Sequence, residues 1–276
     1  MSQYKIISFL SAPGGVGKTS IALLLGWFLK QDGNNNLLLD LDPSLGLTLK
    51  LMKIQTYYHE IENKKKTSAD LLKKISKEES TNINHLDYIS SARFKAVKMD
   101  FIGSSIRLED VMGDIWYGTS LGRRKKLKEA IEIIPGDNYE YVLIDVIPCY
   151  GLKYALLNLV AADYIILPLR TTLNDIYRTK MMMNELQKKV KTEIGKSEFQ
   201  KKLNFCFNMV NPYDEDLVPK FGEWLLDDFP DSHYFKKFIK KRKSFDRMNT
   251  DNEKSYDINN VKEVFEPFYK EFKKNF

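Results

Sequence analysis

The chain has 276 residues, of which 43% are hydrophobic, and a formal net charge of +6 at pH 7. No stretch approaches the about 18 consecutive apolar residues that a membrane span needs, and the N-terminus lacks the layout of a signal peptide. These features argue against a membrane-spanning or secreted protein, so we expect a cytoplasmic location. The length suits one large α/β domain, and we predict a single domain over residues 1–276.

Six apolar runs, taken in chain order, predict buried strands. They cover residues 5–10, 37–41, 99–102, 141–146, 164–168 and 203–208. Helical periodicity fills residues 21–30, 121–134, 152–160, 175–190 and 216–229. Strands buried on both faces lose the alternation of polar and apolar residues, so this order is typical of a doubly wound α/β fold. We therefore expect a mostly parallel sheet with helices on both faces.

Two parts of the chain fit this pattern less well. Residues 53–98 form a less regular insert, and its charged first part, residues 53–84, is interpreted as short surface helices. Residues 213–276 are expected to form a helical C-terminal part. Neither part has the low-complexity composition of a linker, so we assign both to the same domain.

A glycine-rich loop separates the first predicted strand from the first predicted helix. Its sequence is Ser11-Ala12-Pro13-Gly14-Gly15-Val16-Gly17-Lys18-Thr19-Ser20. Three glycines allow backbone N–H groups to turn inward around an anion, and the start of the helix adds the positive end of its dipole. In such a loop Lys18 reaches the β- and γ-phosphates, and Thr19 offers a hydroxyl to Mg²⁺. The loop therefore predicts binding of ATP or GTP.

Carboxylates end two of the predicted strands. Asp145 closes the run at residues 141–144, at the edge where open α/β sheets bind their ligands. It is suited to holding Mg²⁺ through water, and the alternative is a cap on the following helix. Asp40 and Asp42 end the second strand, and we expect only one of them to face the γ-phosphate.

Several stretches, in order, resemble the motifs of the ParA/MinD family. Ala12 stands where the ordinary G-x-x-x-x-G-K-[ST] loop needs Gly, whereas residues 14–19 match the family's K-G-G-x-G-K-[ST] loop after its first position. Asp40-Leu41-Asp42-Pro43 resembles the D-x-D-P motif of switch I. The other matching stretches are residues 101–108, residues 139–148 with the Walker B and switch II pattern, and residues 161–169.

The resemblance implies a P-loop NTPase fold of the SIMIBI type that binds ATP and Mg²⁺ and hydrolyses ATP slowly. Lys18 and the loop amides would stabilise charge on the transferred phosphoryl group, and Asp42 would orient the attacking water. Mg²⁺ would be placed by Thr19 and Asp145, and Asp40 would support Mg²⁺-bound water or the switch. The nucleotide-binding residues would be Gly14, Gly15, Val16, Gly17, Lys18, Thr19 and Ser20.

A strand-end asparagine bears on the choice of base. Asn208 resembles the asparagine that contacts adenine in relatives, and a capping or turn role is the alternative. No Asn-Lys-x-Asp motif for guanine is present in the sequence. The sequence therefore favours ATP over GTP.

The first position of the family's loop differs in this chain. The family has a lysine that reaches the partner's phosphates in a nucleotide-sandwich dimer, and this chain has Pro13. Another basic group could replace the lysine, and Arg107, Arg123 and Arg124 are candidates. The resemblance still implies a nucleotide-dependent homodimer.

A basic segment near the C-terminus predicts contact with nucleic acid. On a helix over residues 234–243, Phe235, Phe238 and Ile239 would face inward. The outward basic side chains could neutralise several phosphates without reading sequence, and an ordinary solvated face is the alternative. The candidate DNA-binding residues are Lys236, Lys237, Lys240, Lys241, Arg242 and Lys243.

Residues 261–276 predict an amphipathic helix that packs on the sheet, and Pro267 is expected to interrupt it. A membrane-surface helix is the alternative, which Glu263, Glu266 and Glu271 disfavour.

Three functions follow from these observations. The leading one is a partition ATPase that coats nonspecific DNA in the nucleoid and responds to a ParB-like centromere-binding partner. The second is a positioning or scaffold protein that binds nucleotide with little hydrolysis. A membrane-cycling regulator is disfavoured.

Overall fold

The computed structural model describes residues 4–77, 83–117, 122–134, 138–148, 152–191 and 194–276. The chain forms two compact units. The first comprises Met1–Leu10 and Ile21–Ile165, and the second comprises Ser11–Ser20 and Ile166–Phe276. The assignment of residues 1–276 to one domain stays a prediction.

The first unit is built on a sheet of strands β1 (Lys5–Phe9), β2 (Asn36–Leu41), β3 (Ser90–Phe94), β4 (Val97–Ile102) and β5 (Tyr141–Val146). Their order is β3-β4-β2-β5-β1, and only the β3–β4 pair is antiparallel among the described strands of this unit. Every residue of β2 and β5 is buried, which explains why these strands lack alternation. The sequence correctly predicted four of these strands and missed β3, a short edge strand.

Helices connect the strands of the first unit. They are α1 (Lys18–Gln31), which starts in the segment assigned to the second unit, α2 (Gly46–Leu51), α3 (Ile54–Tyr57), α4 (Ser68–Ser76), α5 (Leu108–Tyr117), α6 (Lys126–Glu132) and α7 (Leu152–Ala161). A π-helix covers Tyr58–Glu62, and short 3₁₀ helices cover His85–Asp87 and Arg123–Lys125. The insert is less superficial than predicted, because Leu71, Leu72 and Ile75 of α4 are buried.

The second unit contains strands β6 (Tyr164–Leu169), whose first two residues are assigned to the first unit, β7 (Leu203–Val210), β8 (His233–Tyr234) and β9 (Ile239–Lys240). They follow the order β6-β7-β8, and both β8 and β9 pair with β7 in parallel. The helices are α8 (Leu173–Lys189), α9 (Lys196–Lys202), α10 (Leu217–Asp228), α11 (Lys243–Arg247) and α12 (Asp257–Asn275), and a 3₁₀ helix covers Pro212–Asp214. A mostly parallel sheet flanked by helices confirms the predicted fold class.

The helix predicted over residues 234–243 is wrong. The segment forms β8, a turn and β9, and α11 begins only at Lys243. The reason is the open edge of β7, whose Phe205 and Val210 carbonyls accept hydrogen bonds of 2.9 Å from the amides of Phe235 and Lys241. Backbone pairing along that edge outweighs the local helical pattern.

The C-terminal helix α12 is docked, as predicted, and its apolar face is buried in the second unit. The Phe268 ring packs 4.8 Å from the Phe235 ring and 5.3 Å from the Phe265 ring, measured between centroids. Pro267 does not interrupt the helix, because it lies on the exposed face, where water can satisfy the carbonyl that loses its amide partner. Among the described residues, no helix is both long and apolar enough to cross a membrane.

We expect Phe268→Ala to lower the free energy of unfolding by about 3–5 kcal/mol, because the truncation leaves a cavity in an aromatic cluster. Glu263→Ala, on the exposed face of the same helix, should change it by less than about 0.5 kcal/mol. Urea unfolding of both variants measures the difference. Equal costs would contradict the assignment of this helix to the core.

Candidate functional site

The glycine-rich segment, residues 11–20, follows β1, includes the first turn of α1 and is described within the second unit. Gly15 and Gly17 have φ angles of +68° and +87°, in the left-handed region that residues with a Cβ avoid. Alternating conformations of this kind point successive N–H groups toward one side, which creates a concave anion site. The loop geometry therefore agrees with the predicted phosphate loop.

Lys18 is held inside the loop. Its ammonium donates a 2.8 Å hydrogen bond to the Ser11 hydroxyl, which donates a 2.7 Å bond to the Pro13 carbonyl. The Lys18 residue is only 6% exposed. Ser11 is a partner that the sequence analysis missed, although it opens the same loop. Pro13 itself is buried, and its carbonyl is the acceptor for the Ser11 hydroxyl.

Asn208 lies against this loop. Its Nδ2 donates a 2.8 Å hydrogen bond to the Val16 carbonyl, and the residue is 5% exposed. The sequence predicted a contact with adenine or a capping role, and the structure shows a contact with the loop. No local signal could have revealed this bond, because the two residues are 192 positions apart in the chain.

The strand-end carboxylates are described within the first unit. Asp40 of β2 and Asp145 of β5 are register partners, and Phe9 at the end of β1 is the register partner of Asp145 on the other side. Both aspartates are fully buried.

Asp40 is a structural carboxylate in this geometry. One oxygen accepts hydrogen bonds from the Thr48 amide at 2.8 Å and hydroxyl at 2.6 Å, and the other accepts from the Asp42 amide at 3.0 Å. Burial raises the pKa of Asp40 to about 6, although the hydrogen bonds from Thr48 and Asp42 oppose that shift. Both oxygens accept hydrogen bonds from protein donors, and a role of Asp40 in binding Mg²⁺ stays a prediction.

Asp42 is more accessible than Asp40. It is partly buried, and its Oδ1 accepts a 2.8 Å hydrogen bond from the Ser44 amide. Its second oxygen accepts no hydrogen bond from the part of the chain that the structure describes. Two successive carboxylate-to-amide bonds therefore shape the D-x-D-P turn and leave one oxygen of Asp42 available to a water molecule.

A buried polar network continues from Asp40 into the insert. The Thr48 hydroxyl accepts a 3.0 Å bond from the Ser104 amide, and the Tyr57 hydroxyl donates to the Ser104 carbonyl at 2.9 Å. The Ser68 hydroxyl donates to the Asp40 carbonyl at 2.8 Å. Sequence reasoning noted the stretch that contains Ser104 but did not predict its contact with Thr48.

Arg107 lies in this region and pairs with carboxylates of its own chain. Its guanidinium forms two hydrogen bonds with Asp70, of 2.7 and 3.0 Å, and one of 2.9 Å with Glu62. Burial raises the pKa of Asp70, but hydrogen bonds from Arg107 and Thr67 outweigh it, so the pKa lies below its usual range. This geometry argues against Arg107 as the group that replaces the missing lysine. The Arg123 side chain lies outside the described part of the structure.

The basic segment remains exposed although it is not a helix. Lys236, Lys237, Lys241, Arg242 and Lys243 are exposed. Lys240 differs, because its ammonium forms a 2.8 Å ion pair with Glu215. Lys240 is therefore the weakest of the candidate DNA contacts.

Three features are now established: a mostly parallel sheet, a glycine-rich loop that leads from its first strand into its first helix, and acidic strand ends. Together they define a nucleotide-binding protein of the phosphate-loop class. Residues 4–200 match the family described as AAA domain. The chain belongs to this family and is a member of the ParA/MinD ATPases, as the motif resemblance predicted.

Two relatives match most of the chain. An uncharacterized protein of Methanocaldococcus jannaschii is 31% identical over 212 residues, which are 76% of this chain and 74% of the relative. The sporulation initiation inhibitor protein Soj of Bacillus subtilis is 26% identical over 197 residues, 69% of each chain.

Two solved structures show the same fold. An ATP complex of McdA from Cyanothece superposes with a TM-score of 0.72 at 18% identity, over 99% of this chain and 97% of that chain. The structure of pNOB8 ParA bound to nonspecific DNA superposes with a TM-score of 0.69 at 18% identity, over 98% and 96% of the two chains.

We expect Gly17→Ala to destabilise the protein more than Gly15→Ala. Both substitutions place a Cβ at positive φ, but at Gly17 that Cβ would lie 2.3 Å from Asn208 Nδ2, whereas nothing lies within 4 Å at Gly15. The extra collision should add about 1–3 kcal/mol to the loss of unfolding free energy. Chemical denaturation of the two variants measures it, and indistinguishable stabilities would contradict the close contact.

We expect Thr48→Val to lower the free energy of unfolding by about 1–3 kcal/mol, because it removes a hydroxyl that both donates to Asp40 and accepts from Ser104. Thr56→Val is the matched control, on an exposed position of α3. Urea unfolding compares the two. If Thr48→Val costs no more than the control, the network does not hold this turn.

Proposed function

We propose that the protein is an ATP-dependent DNA partition ATPase. The observation that carries the proposal is the loop geometry, with Gly15 and Gly17 at positive φ and Lys18 buried against Ser11. Three kinds of relative support the choice of ligand and process: McdA in complex with ATP, ParA bound to nonspecific DNA, and a chromosome-partitioning ATPase Soj of Treponema pallidum. The absence of a guanine-reading motif from the sequence favours ATP over GTP.

In the proposed reaction, water attacks the γ-phosphate of ATP and releases ADP and phosphate. Lys18 and the loop amides stabilise negative charge on the transferred group, and the available oxygen of Asp42 orients the water. The Thr19 hydroxyl and the Asp145 carboxylate are oxygen donors of the kind that Mg²⁺ prefers, so they fit this ion, which supplies charge neutralisation. We expect slow turnover.

Partition also requires that the protein associate with a second copy of itself, with DNA and with a partner protein. We propose that two copies associate when nucleotide is bound, that the dimer binds nonspecific DNA through the exposed basic segment, and that a ParB-like centromere-binding protein stimulates hydrolysis. In that case the protein is associated with the nucleoid in the cytoplasm. The contribution of the basic segment is electrostatic, because exposed lysines bind phosphates without reading bases.

A specific observation favours a second candidate function. Pro13 is buried where the family's lysine would reach across the dimer, and Arg107, a candidate substitute, is paired within its own chain. A protein that lacks this cross-dimer charge could bind ATP and position a protein partner with little hydrolysis. ATP turnover distinguishes this scaffold from the partition ATPase.

We expect Asp42→Asn to reduce ATP turnover at least tenfold while ATP binding changes little, because the substitution removes the charge that polarises water. Asp110→Asn, on an exposed position of α5, is the matched control and should turn over ATP like the parent protein. Phosphate release at saturating ATP measures the rate. Undiminished turnover by Asp42→Asn removes the residue from the mechanism, and no turnover by the parent protein with DNA and Mg²⁺ favours the scaffold.

We expect Lys241→Glu/Lys243→Glu to weaken DNA binding and to reduce the salt dependence of that binding by about two charge equivalents. Lys196→Glu/Lys201→Glu carries the same charge change on exposed positions of α9. Fluorescence anisotropy with random-sequence DNA, in the presence of ATP and Mg²⁺, gives both affinities. Equal loss in the two variants would show an effect of net charge only and would contradict the assigned DNA surface.

A further inference from the structure

The side-chain amide of Asn208 has a fixed orientation. Its Nδ2 points at the Val16 carbonyl, an acceptor, so the amide cannot be reversed without facing two oxygens toward each other. No hydrogen bond to its Oδ1 occurs among the residues that the structure describes. Asn208 is also buried, near the C-terminal end of β7.

The contact extends to the next residue of the loop. A Cβ at Gly17 would lie 2.3 Å from Asn208 Nδ2 and 3.5 Å from the Met209 side chain. Asn208 therefore packs directly on the backbone of Gly17 as well as bonding to Val16. The two loop residues that it touches are joined by one peptide bond.

The backbone around Asn208 is irregular at this point. Met209 has a φ angle of +58°, which is unusual for a residue with a side chain, and the pairing of β7 with β9 shifts register between Asn208 and Val210. Such conformations cost free energy and persist where the surrounding structure holds them. The positive φ of Met209 and the register shift therefore occur directly beside the residue whose amide contacts the loop.

The geometry of a trans peptide connects this contact to anion binding. The Val16 carbonyl and the Gly17 N–H belong to the same planar unit and point in opposite directions. Holding the carbonyl toward Asn208 therefore aims the Gly17 N–H away from Asn208. We propose that Asn208 is a positioning residue, which orients the Val16–Gly17 peptide so that its N–H is directed at a bound phosphate. This inference rests on the proposed function of the loop.

A role in positioning the loop differs from a role in reading the base. A loop-positioning residue affects every ligand that carries the phosphates, with or without a base. A base-reading residue affects ATP alone and changes the preference of ATP over GTP. Tripolyphosphate, which has the phosphates and no nucleoside, separates the two roles.

The test measures binding of ATP, GTP and tripolyphosphate, each with Mg²⁺, by isothermal titration calorimetry. The variants are Asn208→Ala and Asn208→Asp, and Asn204→Ala is the control, since Asn204 is also buried in β7 but donates to the Lys202 carbonyl. We expect Asn208→Ala to weaken ATP and tripolyphosphate by a similar factor of about 10, with the ATP-to-GTP ratio unchanged. Asn208→Asp should weaken both further, because a carboxylate cannot donate to Val16.

The other outcomes overturn the inference. Loss of ATP binding with unchanged tripolyphosphate binding assigns Asn208 to the base, and equal effects of Asn204→Ala and Asn208→Ala assign it to general stability. Circular dichroism and the stoichiometry of titration report the folded fraction, so an unfolded variant is not mistaken for a weak binder. If the parent protein binds neither ATP nor tripolyphosphate, the proposed function fails, and if it binds both and Asn208→Ala matches it, only this inference fails.

Discussion

The buried carboxylate of Asp40 organises the first unit beyond its own strand. A carboxylate that is removed from water must be satisfied by donors, and here the donors come from Thr48 and Asp42. Thr48 in turn binds Ser104, and Ser68 binds the Asp40 carbonyl. The Asp40 carboxylate thus connects β2 with α2 and, through Thr48, with the segment after β4, and it shapes the turn that presents Asp42. The backbone carbonyl of the same residue adds the link to α4.

The glycine-rich loop depends on a different principle, the orientation of its peptide groups. Positive φ at Gly15 and Gly17 allows the curvature, the Lys18–Ser11–Pro13 chain of hydrogen bonds holds the ammonium inside, and Asn208 contacts the loop from a distant strand. Pro13 takes part through its carbonyl, which accepts the hydrogen bond from the Ser11 hydroxyl. In the first unit, the Arg107 guanidinium is bound to Asp70 and Glu62.

The sequence predicted the parallel strands well because each is a continuous apolar run with both faces buried. It also located the loop and the strand-end aspartates, since these are contiguous motifs. It was wrong on residues 234–243, where a pattern suited to a helix is used for two short strands along the edge of β7. It was also wrong on Pro267, because the cost of proline depends on whether water reaches the freed carbonyl, which is a property of the packed helix.

By itself, the sequence determined the fold class, the family, the position of the glycine-rich loop and the amphipathic face of α12. These features follow from residues that are neighbours in the chain or repeat with a regular period. Only the tertiary structure decided that Asp40 turns inward, that Lys240 is paired with Glu215, and that Asn208 binds the loop through Val16. The physical reason is that burial, ion pairing and hydrogen bonding between distant residues depend on which elements pack together, and no local pattern carries that information.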